Sequence, residues 1–223
     1  MDDIFQYGEK EIEYLKSVDK TLGAAIEQIG FIKRPIVPDL FSSLVRSIIA
    51  QQISTKAAET IYLRMSERLG EISPKVINSA SIGEIQQLGM SMRKAGYIKD
   101  VASKIHNSEF DIEVLYSMSD DDVCRQLSTL NGIGVWTAEM LMIFTMQRPD
   151  IISRDDLAIQ RGLRMLYRHR KITKELFAKY KRRYSPYATI ASLYLWAISN
   201  GACGLKDYAP ITKAQKKKAC KNK

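Results

Sequence analysis

Two short stretches of this 223-residue chain combine residue types and spacings suited to chemistry beside a phosphate. The first is Leu130-Asn131-Gly132-Ile133-Gly134-Val135-Trp136-Thr137-Ala138. Two glycines one residue apart stand between helical patterns, and glycine both tolerates positive φ and lets another molecule come close to the backbone. A helix starts directly after Gly134, so unpaired N–H groups and the positive end of the helix point outward there, a place for an anion. The second stretch, Ser153-Arg154-Asp155-Asp156-Leu157, sets an acidic pair at the start of the next helix. A phosphate anchor followed by a carboxylate suits a nucleic acid held by its backbone, with chemistry done beside it. Each stretch alone also has a plainer reading. Asn-Gly joins helices in ordinary turns, and an Asp before an apolar helix is commonly an N-cap.

The elements that must position these residues read almost entirely as helix. Residues 8–17 and 19–29 have helical spacing, with Asp19 as a cap. The proline-rich stretch 33–38 breaks the pattern and connects. Asp39 caps an apolar helix, LFSSLVRSIIAQQ, whose Leu40, Leu44 and Ile48 share a face. It stops near Gln51-Gln52-Ile53. Ser54 caps the next helix, which ends at Gly70, a good residue for leaving a helix. Ser73-Pro74 opens a short helix, residues 81–88 another, and Ser91 caps a third that packs through Ala95, Ile98 and Ala102. Arg93 and Lys94 on it read as surface charges or phosphate contacts. Ser119 and three aspartates open a helix that leads into the glycine pair, the acids suiting its positive end. After Asp156 runs LAIQRGLRMLYRH, in which Gly162 permits close packing, then a helix over 173–183. A last helix is expected to start at Pro186, since proline fits a first turn. Strand is expected to be little or absent.

Composition narrows the class. Hydrophobic residues make up 45% of the chain, enough for a substantial core. No apolar run approaches the ~20 residues of a membrane helix, and the acidic, polar beginning lacks a signal-peptide pattern, so a cytoplasmic protein is expected. Cys124, Cys203 and Cys220 are far apart and form neither a metal cluster nor a disulfide framework. The net charge is +9, but it is local. Residues 161–183 hold ten Lys/Arg against one acid, Glu175, and the stretch from Ile211 to Lys223 holds six lysines and no acid, leaving the remainder net negative. A one-sign block that begins directly after Asp156 suits a polyanion; a solvated basic face followed by a disordered tail over 211–223 is the plainer alternative.

The run LNGIGVWTAEMLMIF followed by DIISRDDLAIQRG resembles the helix-hairpin-helix and Gly/Pro-Asp signature of the HhH-GPD DNA glycosylases, and within them the 3-methyladenine DNA glycosylase II (AlkA-type) branch. The resemblance runs from about Leu40 to Asn200. It departs from the family pattern at Asn131, where proline is usual, at Tyr187 and Ala188, where Trp and Arg are usual, and at Met140, where a tyrosine can occur. The missing four-cysteine cluster argues against the iron–sulfur branch. The resemblance implies an all-α fold spanning 1–210, with N- and C-terminal helices in one subdomain, middle helices in the other, a cleft between, and no β-rich N-terminal domain.

It also implies the chemistry. A duplex hides the glycosidic bond, so the damaged nucleotide must leave the stack. The family's catalytic Asp directly precedes a Leu or an aromatic residue, which selects Asp156 over Asp155 as the carboxylate that stabilises a cationic sugar. Gly132, Gly134 and Thr137 become phosphate contacts. Gln52 becomes the residue pushed into the stack, and Gln51 lies near the base pocket with Trp136, Trp196 and Met140. Family members that also cut the strand carry a lysine where this chain has Trp136, so a monofunctional hydrolase is expected, acting as a monomer on double-stranded DNA that contains an alkylated purine such as 3-methyladenine or 7-methylguanine. No metal or organic cofactor is required, although a structural cation at the hairpin is compatible. The alternatives are a glycosylase for 8-oxoguanine, uracil or hypoxanthine, and a non-enzymatic helix-hairpin-helix module that binds DNA.

Overall fold

The chain begins most of its helices with the same device. In the computed structural model, which describes residues 4–210, Asp19, Asp39, Ser54, Ser73, Ser81, Ser91, Ser119 and Thr173 each accept a hydrogen bond from the backbone N–H of the third residue of the helix they precede. Each such cap satisfies a donor that the helix cannot pair internally and contributes about 1 kcal/mol. The result is all-helical among the described residues, with a lone backbone bridge between Ile4 and Pro35 in place of any strand. The chain forms two compact units.

One unit comprises Arg34–Arg148 with the N-terminal residues up to Phe5. It holds α3 (Leu40–Ala50), α4 (Thr55–Leu69), α5 (Pro74–Ser79), α6 (Ile82–Gln86), α7 (Met92–His106), α8 (Asp120–Leu127) and α9 (Val135–Phe144). Its core joins the apolar face of α3 (Leu44, Val45, Ile48) to Ala95, Ile98 and Ala102 of α7 and to Ala138 and Ile143 of α9, all essentially inaccessible to water. A short 3-10 turn at Val114–Ser117, not expected from periodicity, is tied down where Arg148 donates to the carbonyls of Leu115 and Tyr116. α3 ends at Ala50, two residues earlier than its apolar pattern suggests. Gln52 then takes a positive φ of 59°, which no helix can continue.

The other unit comprises Gln6–Lys33 and the chain from Pro149 on. It holds α1 (Glu9–Val18), α2 (Lys20–Ile29), α10 (Leu157–Tyr167), α11 (Lys174–Tyr184) and α12 (Ala188–Ser199). α12 is apolar on nearly every side and is buried accordingly. It begins at Ala188, after Pro186 rather than on it. Asp150 accepts from the Ala188 N–H (3.1 Å) and the Ser185 hydroxyl (2.6 Å), and that carboxylate sets the start of the helix. α10 lies tightly against α12 at Gly162, where a Cβ would sit 2.3 Å from the Leu195 carbonyl oxygen. Buried Asp19 joins α2, α10 and α11: one oxygen caps α2, while the other accepts from Arg183 (2.6 Å) and the Tyr167 hydroxyl (2.8 Å). The tail expected over 211–223 lies outside the described residues.

Two helical glycines make opposite predictions. Gly162→Ala drives a methyl into backbone and lowers stability by about 1–3 kcal/mol. Gly96→Ala, inside α7 with nothing within 4 Å of the new methyl, raises it by about 0.5–1 kcal/mol. Urea denaturation of the two variants checks both signs.

Candidate active site

The glycine pair forms the turn between α8 and α9, and the two glycines do different work. Gly132 has φ 86°, and its missing side chain leaves room for the Tyr97 ring, which a Cβ would meet at 2.5 Å. Gly134 sits in ordinary extended backbone as the N-cap of α9, without a side-chain cap bond, and nothing lies within 4 Å of where its Cβ would be. The fold itself therefore does not require glycine at 134; what its absent side chain preserves is open, solvent-facing space at a helix N-terminus. Trp136, second in α9, is 48% exposed, and Thr137 is half-buried in the same first turn.

The turn is braced from two helices. Gln51, just past α3, donates its side-chain N–H to the Gly132 carbonyl (2.6 Å). Asn131 donates to Asp100 of α7 (3.0 Å), which also pairs with Lys104. Lys94, expected as a surface charge or phosphate contact, instead donates to the carbonyls of Ile49 (2.8 Å) and Gln51 (2.5 Å), satisfying the end of α3. Burial, together with the neighbouring Arg93 charge, lowers its pKa from the ordinary lysine value. Gln52 is exposed in the loop between α3 and α4.

Met140 is half-buried on α9 and lines a cavity of about 250 Å³ with Arg34, Val37, Ser43, Ser47 and Phe144. The Arg34 guanidinium lies 4.4 Å from the Phe144 ring centre, and burial lowers its pKa from the usual arginine value. Arg46 also borders this cavity, its guanidinium 3.4 Å from the Tyr62 ring centre and paired with Glu59 (3.2 Å).

Asp156 belongs to the other unit. It is 7% exposed and is the N-cap of α10. Its Oδ1 accepts from the N–H groups of Ala158 (2.8 Å) and Ile159 (2.9 Å) and from the indole N–H of Trp196 on α12 (3.2 Å). A helix N-terminus and these donors all complement negative charge on the carboxylate. Trp196 is thus a hydrogen-bond partner of Asp156, a contact that spacing along the chain could not show. The approach to Asp156 is fastened to α12. Pro149 O accepts from Thr189 N–H (3.0 Å), Ile151 N–H donates to the Thr189 hydroxyl (2.9 Å), and Ile151 O accepts from the Ser192 hydroxyl (3.2 Å). Asp155 is exposed, as is Leu157, which at 80% is the most exposed large apolar side chain among the described residues. Of the ten cations at 161–183, Arg164 grips Asp207 through two bonds (2.9 and 2.8 Å) and Arg183 pairs with Asp19, whereas Arg168, Arg170, Lys171, Lys174, Lys179, Lys181 and Arg182 are exposed.

Residues 45–186 match the HhH-GPD superfamily of base excision DNA repair proteins. DNA-3-methyladenine glycosylase 1 of Schizosaccharomyces pombe is 32% identical over 181 residues, covering 79% of this chain and 78% of that protein. The crystal structure of a DNA-3-methyladenine glycosidase from Bacillus halodurans superposes with a TM-score of 0.80 at 34% identity, covering 90% of this chain and 93% of that one. The S. pombe 3-methyladenine DNA glycosylase in complex with abasic DNA superposes with a TM-score of 0.74 at 27% identity, covering 91% of this chain and all of the other. The chain belongs to the HhH-GPD superfamily of base excision DNA repair proteins.

Substitutions separate local folding from ligand contact. Gly134→Ala keeps wild-type stability, whereas Gly132→Ala meets both a positive φ and the Tyr97 ring and lowers it. Asp156→Ala loses the α10 cap and about 0.5–2 kcal/mol; Asp156→Asn keeps a capping oxygen and loses less. Thermal melts of the four variants test this ranking.

Proposed function

We propose that the chain is a monofunctional DNA glycosylase that hydrolyses the N-glycosidic bond of alkylated purines in double-stranded DNA, acting as a monomer. The observation that carries this reading is the Asp156 carboxylate, buried and held through Oδ1 by two backbone N–H groups and an indole. Breaking a glycosidic bond develops positive charge on the sugar. A preorganised carboxylate stabilises that charge without having to reorient during the reaction, and also orients or deprotonates the attacking water. The relatives named 3-methyladenine glycosylases support the lesion class, and one of them is described in complex with abasic DNA, the product of base removal.

The hairpin and the carboxylate have separate roles in this proposal. Gly132, Gly134, Thr137 and the first turn of α9 bind backbone phosphate through N–H donors and the helix end, holding DNA without reading its sequence. The exposed cations of α10 and α11 add affinity that falls steeply with salt. Gln52 fills the space left by the extruded nucleotide. An indole at position 136 cannot form the Schiff base that an amine there would, so no strand cleavage accompanies base release. An N-alkylated purine already carries positive charge and departs without being protonated. The chemistry calls for no organic cofactor, and a structural cation at the hairpin carbonyls is compatible with it. Among the described residues no helix is long and apolar enough to cross a membrane.

The cavity beside Met140 favours a second reading of the lesion. Its Arg34 and Arg46 guanidinium groups and its Ser47 hydroxyl are donors, better matched to a neutral base with carbonyl oxygens, such as 8-oxoguanine, uracil or hypoxanthine, than to a cationic one.

Base release from methylated duplex DNA tests the proposal, with products separated by chromatography. Wild type releases 3-methyladenine or 7-methylguanine; Asp156→Asn binds the same DNA and releases base at least about a hundredfold more slowly, the scale of losing one preorganised electrostatic group. Equal release by both enzymes rejects Asp156 as the catalyst. Salt-sensitive binding with no release from methylated DNA, but release from duplexes carrying one of the three neutral lesions, moves the assignment to the second reading.

A further inference from the structure

Three side chains of α7 and one at the end of α3 converge on two exposed backbone segments of the same unit. The segments are the Gln51–Ile53 loop, with Gln52 at φ 59°, and the Asn131–Gly134 hairpin. Lys94, Tyr97 and Asp100 follow one another at intervals of three along α7, which puts them along one side of the helix. Lys94 holds the loop by the carbonyls of Ile49 and Gln51. Tyr97 fills the space beside Gly132, and Asp100 accepts from Asn131, so both hold the hairpin. Gln51 closes the arrangement. Its backbone carbonyl is bound to Lys94 and its side-chain N–H to Gly132 O, linking loop to hairpin directly across 81 residues of chain.

We propose that Gln51 is a latch, a positioning residue whose amide makes the Gln52 loop and the phosphate-binding hairpin move as one piece. The inference rests on the glycosylase reading for the tasks of the two segments, but the latch itself is a property of the free protein. Gln52 stands in a backbone conformation that non-glycine residues seldom adopt, and such a conformation persists only where its surroundings over-determine it. The ammonium group of Lys94 and the amide of Gln51 are those surroundings on one side. A side chain aimed into a base stack is useful only if the recoil has somewhere to go. The latch passes it to the hairpin, which is itself held by phosphate. On this account Gln51 need not touch the extruded base. Its side chain is already committed to a carbonyl, and a carbonyl can be met only by the donor end of the amide.

Two measurements on the full chain test the latch. Gln51→Leu removes the donor at similar size; Gln51→Glu keeps the shape and sets a second acceptor against the carbonyl. Hydrogen–deuterium exchange of the free protein is expected to show both variants losing protection at the 51–54 loop and at the 131–135 hairpin together, with α7 unchanged. Faster exchange in the loop alone, or no change in either segment, overturns the latch whatever the enzyme acts on. The second measurement is fluorescence anisotropy with a duplex carrying a tetrahydrofuran abasic-site analogue and with the same duplex intact. Gln51→Leu is expected to weaken abasic binding about tenfold, the scale of one well-placed hydrogen bond, and intact-duplex binding by less than twofold. Adding Gln52→Ala to Gln51→Leu is expected to cost little more, because an unlatched loop no longer presents Gln52. Fully additive losses mean that the two residues act independently, and overturn the proposal. A wild type that does not prefer the abasic duplex counts against the glycosylase reading, and the exchange result still decides the latch.

Discussion

A buried carboxylate at the start of a helix is the constraint on which much of the second unit depends. An isolated carboxylate out of water costs on the order of several kcal/mol. Asp156 is tolerated at 7% exposure because its Oδ1 lies where α10 must supply donors in any case: the first N–H groups of a helix have no partner within it. The Trp196 indole adds a third donor from α12. That contact needs α10 and α12 to lie close together, which Gly162 permits by presenting no side chain to the Leu195 carbonyl. It also needs the segment before Asp156 to be fixed, which the bonds from Pro149 and Ile151 to Thr189 and Ser192 accomplish. Charge, cap and helix packing are therefore one arrangement, and a change to one is felt by the others.

The first unit uses the same accounting of backbone groups at the opposite end of a helix. α3 leaves carbonyls without partners, and Lys94 satisfies two of them. The hairpin carbonyl of Gly132 is met by Gln51. The N-terminus of α9 differs in kind: its cap residue has no side chain, and the space around Gly134 is open. Where the unit's other helices spend a Ser or Asp on their first N–H groups, this one presents them outward. Among the α-helices of this unit, α9 is the one that begins without a side-chain cap bond, and in the proposed glycosylase its first N–H donors are the ones that meet a DNA phosphate.

Much of this was legible in the sequence because helix starts have a chemical signature. Asp39, Ser54, Ser91 and Ser119 each stand directly before an apolar periodicity, and each proved to be the cap of the helix it announces. Gly162 was readable as a close contact because glycine inside an otherwise helical pattern needs a reason. The misplacements have a common cause. α3 stops early and α12 starts late because side chains distant in sequence or on a neighbouring loop, Lys94 and Asp150, decide which backbone groups are satisfied. The same holds at the site. Asp156 could be read as acid and as cap, but its bond to Trp196 spans 40 residues and the Gln51–Gly132 bond spans 81, and no local pattern records either. The two glycines of the hairpin look equivalent as letters, whereas only Gly132 uses a positive φ.

With Asp156 as the proposed catalyst, the donors around it also bear on which bases such a site can release. The N–H groups of Ala158, Ile159 and the Trp196 indole hold the carboxylate and cannot hand a proton to a departing base at neutral pH. One preorganised electrostatic contact contributes about 3–4 kcal/mol to a transition state, a factor of several hundred. That is a modest share of the acceleration that hydrolysis of a stable glycosidic bond demands. The remainder has to come from the leaving group or from the contacts that orient it. A purine already made cationic by alkylation supplies that share through its own charge, so a carboxylate beside the sugar is sufficient. A neutral lesion would need donors at its carbonyl oxygens to take up the charge it leaves with. In the other unit, Arg34, Arg46 and Ser47 around the Met140 cavity carry donors of that kind. Lesion choice thus reduces to a comparison between two charges: the one the substrate brings, and the one the protein must offer in its place.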